Sequence, residues 1–70
     1  MPHLTEAAAR RKFAHYFLDL QAAMVAEGGR VSKVAEWERF REKLIEDGQA
    51  PADAANWKCP QSLQAELRRP

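Results

Sequence analysis

The feature that most constrains the fold of this chain is a long run without helix breakers near its start. Glu6–Glu27 contains neither glycine nor proline, and Gly28 and Gly29 follow directly. Thr5 precedes the run, and its hydroxyl can accept a backbone hydrogen bond as a helix N-cap. Glycine readily adopts the left-handed conformation that ends a helix. The pattern therefore predicts a helix over residues 6–27, about 33 Å long at 1.5 Å per residue.

This predicted helix carries more apolar surface than one packing partner needs. Its main face repeats at three- and four-residue spacing and consists of Phe13, Tyr16, Phe17, Leu20 and Met24. A second strip lies well off that face and consists of Ala14, Leu18 and Val25. Two interpretations of the second strip remain open. Either a later helix of the same chain covers it, or it contacts a partner.

A second amphipathic helix is predicted over residues 33–47. Ser32 is a suitable N-cap, and Gly48 is a suitable stop. The buried stripe of this helix is expected to consist of Val34, Trp37, Phe40, Leu44 and Ile45. Charged residues occupy the remaining positions, as is usual for a solvated helix face.

The rest of the chain predicts two short helices. Pro51 fits the first position of a helix over residues 51–58. Pro60 ends it, because the residue before a proline is pushed out of helical geometry. A last helix is expected over residues 62–68, and no alternating β-pattern occurs. We therefore predict one all-α domain over residues 1–70. It is a small three- to four-helix domain with a long first helix, an antiparallel helical hairpin and short C-terminal helices.

Length and charge limit the classes of protein to which this chain can belong. A chain of 70 residues forms one domain, and it buries only roughly 60% of its unfolded surface, so a homodimer is one route to further burial. Eleven basic and ten acidic residues give a formal net charge of +1, without the basic excess typical of nucleic-acid-binding proteins. The sequence opens with no signal-peptide pattern, and no apolar stretch approaches the ~20 residues of a membrane helix. We therefore expect a cytoplasmic protein without membrane contact.

No residue pattern indicates catalysis, a cofactor or a metal. The usual metal-ligand types are His3, His15 and Cys59, whose spacing matches no zinc pattern. Cys59 is the single cysteine, and no histidine lies near it in sequence to activate it as a nucleophile. The expectation is a non-enzymatic protein with neither cofactor nor metal.

Two binding functions are compatible with the sequence. The first is a protein-binding module, because exposed apolar and aromatic side chains dominate binding energetics. Its candidate contacts are Ala14, Leu18, Val25 and Trp57. The alternative is a helix-turn-helix-like DNA-binding regulator, since two predicted helices flank the turn at Gly48. Its candidate phosphate contacts are Arg30, Lys33, Arg39 and Arg41. The predicted reading helix over residues 51–58 contains no arginine, which makes nucleic acid the less favoured partner.

Three short segments place two tryptophans around an Asp-Gly step: Trp37-Glu38-Arg39-Phe40, Leu44-Ile45-Glu46-Asp47-Gly48 and Trp57-Lys58-Cys59-Pro60. Together they resemble a pattern in small uncharacterised helical proteins of bacteriophages and other mobile elements. Those proteins often have a large aliphatic residue after the Asp-Gly step, where this chain has Ala50 and Pro51. The resemblance implies a helix, a glycine stop and a second tryptophan packed back on the helix. It also implies a gene carried by a phage or plasmid, and a protein that occupies the surface of a host protein such as a defence complex.

Overall fold

The regular structure of the chain is entirely helical over the part described, residues 2–68 of a computed structural model. In chain order its elements are α1 (Glu6–Ala26), α2 (Lys33–Glu46), a 3₁₀ helix (Ala52–Asn56) and α3 (Leu63–Arg68). The first helix has 21 residues, and the elements after α2 are short. The all-α prediction with a long first helix and short C-terminal helices is therefore confirmed.

Side-chain caps begin the two long helices at the residues that the sequence predicts. The Thr5 hydroxyl accepts a hydrogen bond from the backbone N–H of Ala8 at 3.1 Å. The Ser32 hydroxyl accepts one from the backbone N–H of Ala35 at 3.3 Å. Both bonds satisfy donors that the first turn of a helix leaves without an intrahelical partner.

Glycine-dependent caps end both helices, one residue earlier than predicted. After α1, the Gly29 N–H donates to Met24 O at 2.7 Å and the Gly28 N–H donates to Val25 O at 2.9 Å. This pair of bonds is the Schellman motif, which requires a left-handed residue, and Gly28 has a φ of +80°. The same arrangement ends α2 at Gly48, where φ is +73°. The turns that follow α1 and α2 are therefore determined by residues close to them in sequence.

The first two helices form the predicted antiparallel hairpin. The backbone N–H of Leu4 donates to Gln49 O at 2.8 Å, so the start of α1 lies beside the end of α2. Between these ends, the ring of Phe13 meets Trp37 edge-on, with ring centroids 5.2 Å apart. Phe13 also contacts Phe40, with centroids 5.5 Å apart. The helices therefore meet through an aromatic cluster that is centred on Phe13.

The third predicted helix, over residues 51–58, is present in a shorter form and is of the 3₁₀ type. The segment forms a 3₁₀ helix of five residues, Ala52–Asn56, and Pro51 precedes it as the capping residue. The Ala54 N–H donates to Pro51 O at 2.9 Å, which is the tighter i to i−3 bond. Ala54 is fully buried against the aromatic core. Trp57 is already extended, so the chain leaves helical geometry three residues before Pro60.

The core lies where the first half of α1 meets α2 and the 3₁₀ helix. Its members are the buried residues Ala9, Phe13, Phe17, Trp37, Leu44, Ala50 and Ala54. Every buried residue of α1 lies between Ala9 and Phe17. The C-terminal half of that helix is therefore only partly covered.

The last helix packs along α1. α3 begins one residue later than predicted, and the Ser62 hydroxyl accepts a hydrogen bond from the Ala65 N–H at 3.2 Å. Upstream of it, Arg10 Nε of α1 donates to Lys58 O at 3.3 Å. A helix of six residues is too short to be stable alone, so α3 owes its helical state to this docking.

The molecule exposes more surface than a chain of its mass usually does. Its accessible surface is 5004 Å². A folded monomer of 8.0 kDa is expected to expose about 4,450 Å². Among residues 2–68 no helix is long and apolar enough to cross a bilayer.

Candidate protein-binding site

The apolar strip that the sequence assigns to a partner is divided by the fold. Ala14 is fully buried, so this candidate contact is wrong. Ala14 lies outside the aromatic core cluster, and we attribute its burial to α3, which packs on the same helix. Leu18 is half-buried, whereas Val25 is 65% exposed. The interpretation in which a later helix covers the strip therefore holds at Ala14, while Val25 is open to solvent and Leu18 is partly open.

The other aromatic candidate, Trp57, is a half-buried residue at the edge of the core. Its backbone carbonyl accepts two hydrogen bonds, from Trp37 Nε1 at 3.0 Å and from Arg41 Nη1 at 2.9 Å. These bonds hold the extended segment that follows the 3₁₀ helix. Trp57 thus contributes to the packing of its own chain, and it is a weaker anchor for a partner than a fully exposed tryptophan.

The four candidate phosphate contacts do not form one surface. Arg41 is engaged with the Trp57 carbonyl, and Lys33 Nζ donates to Gln61 O at 3.0 Å. Arg30 and Arg39 are exposed. In addition, the element after the Asp-Gly turn is a five-residue 3₁₀ helix, which is too short to serve as a reading helix in a major groove. The geometry does not favour the DNA-binding alternative.

An open cleft lies between α1 and α2, on the side where Tyr16 emerges from the core. Its volume is about 390 Å³, and its lining consists of Tyr16, Glu36, Arg39, Phe40 and Lys43. We call it the Tyr16 cleft. Tyr16 is 43% exposed, and its ring stacks on the half-buried ring of Phe40, with centroids 5.8 Å apart and planes at 20°. The floor of the cleft is therefore a pair of stacked aromatic rings.

The polar groups of the cleft are arranged around a single carboxylate. Tyr16 Oη donates to Glu36 Oε2 at 3.3 Å, and Arg39 Nη1 donates to Glu36 Oε1 at 3.4 Å. The Glu36 side chain is only 16% exposed, whereas the Arg39 side chain is 77% exposed. Burial raises the pKa of the Tyr16 hydroxyl, and the neighbouring Glu36 carboxylate raises it further. Tyr16 is therefore a neutral donor at physiological pH, and the exposed charge nearby is cationic.

The chain matches no known family model, no curated protein and no solved structure. Any assignment of function therefore depends on the geometry of the chain itself.

The exposure of Tyr16 is the feature that sequence reasoning missed. Tyr16 was predicted as part of the main apolar face, together with Phe13 and Phe17, and both phenylalanines are indeed buried. In helical projection Tyr16 falls at the edge of that face, where a side chain is covered only if the neighbouring helix crosses there. Its polar hydroxyl is the signal that could have indicated an edge position, since tyrosine often places its ring on apolar surface and its hydroxyl in water.

A second cleft of about 330 Å³ lies beside the only cysteine, and its lining includes Arg10, Cys59 and Glu66. Burial raises the pKa of the Cys59 thiol, although Lys33, Arg10 and Arg41 act in the lowering direction. A thiol with a raised pKa is a poor nucleophile at neutral pH. Over the described part of the chain, no group of three His, Cys, Asp or Glu side chains is placed to hold a metal ion. We find no arrangement in this cleft that would perform chemistry.

Proposed function

We propose that this chain is a non-enzymatic protein-binding module and that the Tyr16 cleft is its contact surface. The observation that carries the proposal is the exposed Tyr16 ring stacked on Phe40. Tyrosine and arginine are enriched among the residues that dominate binding energies, and a polar rim usually surrounds them. Here Arg39 and Lys43 supply that rim.

The amount of uncovered surface supports the same proposal. A standard protein interface buries about 800 Å² on each partner. The large apolar side chains exposed over residues 2–68 are Tyr16, Val25 and Val34, and they are available for such an interface.

The cellular setting of this proposal comes from the resemblance to small proteins of phages and other mobile elements. We place the chain in the bacterial cytoplasm, encoded by a phage or plasmid, with a host protein as the partner. The pattern of two tryptophans around the Asp-Gly step supports this setting. A homodimer is the competing use of the exposed surface, and the solution mass of the purified chain distinguishes the two.

The proposal is tested by capture from a bacterial lysate with three immobilised proteins: the native chain, Tyr16→Ala and Val25→Ser. Both variants change an exposed residue, but only Tyr16 lines the cleft. Circular dichroism establishes first that both variants fold. We expect a protein captured by the native chain and by Val25→Ser to be lost with Tyr16→Ala. Equal capture by all three proteins would contradict the assignment of the cleft, and a dimeric mass abolished by Tyr16→Ala would point to a second copy as the occupant.

A further inference from the structure

We infer that the occupant of the Tyr16 cleft is an acidic amphipathic segment of a partner protein, with one large apolar side chain flanked by carboxylates. This inference rests on the proposed function and names the chemistry of the partner. The juxtaposition that carries it is an aromatic floor, Tyr16 on Phe40, beside two exposed cations, Arg39 and Lys43.

The floor accepts an apolar side chain and little more. A volume of about 390 Å³ lies at the small end of the range of ligand sites, which runs from about 300 to 1,000 Å³. The exposed part of the Tyr16 ring provides apolar contact area with little conformational entropy to lose. An aliphatic or aromatic side chain of a partner segment can therefore sit on the stacked rings while the backbone of that segment stays outside.

The two cations at the rim are available to a partner. Arg39 contacts Glu36 at 3.4 Å, and Lys43 contacts Asp47 at 3.8 Å, with the Lys43 side chain 71% exposed. Both are local pairs, three or four residues apart, whose cations are 77% and 71% exposed, and such pairs contribute little to stability. Each cation can therefore turn towards a carboxylate on a partner without a large loss within the chain.

The carboxylate inside the cleft does not cancel this positive character. Glu36 is mostly covered, and both of its oxygens already accept hydrogen bonds, from Tyr16 and from Arg39. A partner approaching from solvent therefore meets Arg39 and Lys43 first. Complementarity then favours carboxylates on either side of the apolar anchor, because opposite potentials fix the register of a docked segment.

A protein segment fits this site better than a nucleic acid does. Nucleic-acid grooves track many phosphates with a continuous row of cations, and this cleft offers two. The formal net charge of the chain, +1, provides no general attraction to compensate.

The test uses four fluorescent probes at low ionic strength: three short peptides and a single-stranded oligonucleotide. The peptides share one central tryptophan and differ only in their flanks, which are glutamate, lysine or serine. We expect the glutamate-flanked peptide to bind about tenfold more tightly than the lysine-flanked one, as two exposed ion pairs allow. Added salt should reduce this preference. Amide chemical shifts of Tyr16 and Phe40 should change on binding.

Charge reversal provides the matched control. The double variant Arg39→Glu, Lys43→Glu should prefer the lysine-flanked peptide. Arg30→Glu, also an exposed basic residue but outside the cleft, should keep the native preference. Neither reversal touches the core, so a loss of fold does not account for a change in preference.

Every other outcome refutes the acidic partner, and each has its own consequence for the proposed function. Preferential binding of the lysine-flanked or serine-flanked peptide at Tyr16 refutes the acidic partner and leaves the binding module standing. Binding of the oligonucleotide at the cleft refutes the acidic peptide and replaces the protein partner. If no probe binds while lysate capture still depends on Tyr16, the acidic partner is rejected alone. If capture does not depend on Tyr16 either, both proposals fail.

Discussion

The Trp57 carbonyl provides the sharpest test of how the C-terminal part of the chain is held. Trp37 Nε1 and Arg41 Nη1 donate to this one oxygen, at 3.0 Å and 2.9 Å. The perturbation is a double-mutant cycle with Trp37→Phe, Arg41→Met and the two changes combined. Each single change leaves the oxygen with one donor, and the combined change removes both.

The expected losses in unfolding free energy depend on how many hydrogen bonds the Trp57 carbonyl oxygen still accepts. Loss of a neutral hydrogen bond costs about 1 kcal/mol. Because Arg41 is half-exposed, its charged bond should also be worth only about 1 kcal/mol, below the range for buried charged partners. Trp37→Phe additionally removes packing volume at a nearly fully buried position, but this loss is present with and without Arg41 and cancels in the cycle. The combined variant leaves a partly buried acceptor without a donor, which costs a further ~1 kcal/mol or more.

The assay is urea unfolding followed by circular dichroism for the native chain and the three variants. A domain of 70 residues has an unfolding free energy of about 3.5–10 kcal/mol, and the combined variant is expected to lose a large part of it. All four proteins are therefore measured in the same concentration of a stabilising osmolyte, which keeps each of them folded at the start. We expect the loss in the combined variant to exceed the sum of the single losses by about 1 kcal/mol. Additivity within about 0.5 kcal/mol would refute the reasoning. Arg39→Met is the control, because Arg39 bonds Glu36 and not the carbonyl, and its cycle with Trp37→Phe should be additive.

Further predictions concern Tyr16, the two glycines after α1, and Cys59. Tyr16 is the only tyrosine, so absorbance titration of tyrosinate should place its pKa above the ordinary value, because burial and then Glu36 disfavour the anion. Since the folded state binds this proton more tightly, unfolding free energy should fall as alkaline pH rises through the folded pKa of Tyr16. Tyr16→Phe should reduce that fall and leave the part that belongs to Cys59, whose pKa is also raised. Gly28→Ala should lower stability by about 1 kcal/mol, because φ is +80° and the left-handed penalty exceeds the gain in unfolded-state entropy. Gly29→Ala should cost less, since the one close contact of the added Cβ, at 2.8 Å, is with the movable end of the Met24 side chain, and Met24 O lies farther away at 3.4 Å; the melting temperature of each variant checks this. The Cys59 thiol should react with iodoacetamide more slowly in the folded chain than in urea at the same pH, because burial raises its pKa; equal rates would contradict this.

The helix ends were predictable from sequence because the interactions that set them are local. The hydroxyls of Thr5 and Ser32 reach backbone N–H groups only three residues ahead. Gly28 and Gly48 adopt positive φ because the Schellman bonds close within six residues. These signals need no knowledge of the rest of the fold, and together they fix the two corners and hence the hairpin.

The errors occur where a distant segment decides the outcome. Ala14 was assigned to a partner surface because nothing near it in sequence covers it, yet α3 docks on the same helix from the far end of the chain. The segment after Pro51 has good α-helix propensity, but it forms a short 3₁₀ helix that seats Ala54 in the core. Packing overrides propensity in such short elements. Periodicity also cannot say where α2 crosses α1, and this crossing leaves Tyr16 at the margin of the core.

Some basic residues stabilise the fold while others stay available for binding, and the reason for this difference is physical. Residues 57–62 lack helical structure, and the backbone carbonyls of such a segment still require donors. Three basic side chains meet this requirement, and they are Arg10, Lys33 and Arg41. A cation engaged in this way is a poor phosphate contact, because releasing it would leave a carbonyl unsatisfied. Arg39 and Lys43 lie on the other side of α2 and contact carboxylates three or four residues away, Glu36 and Asp47. The irregular segment therefore engages Arg10, Lys33 and Arg41 in folding, whereas Arg39 and Lys43 remain available beside Tyr16.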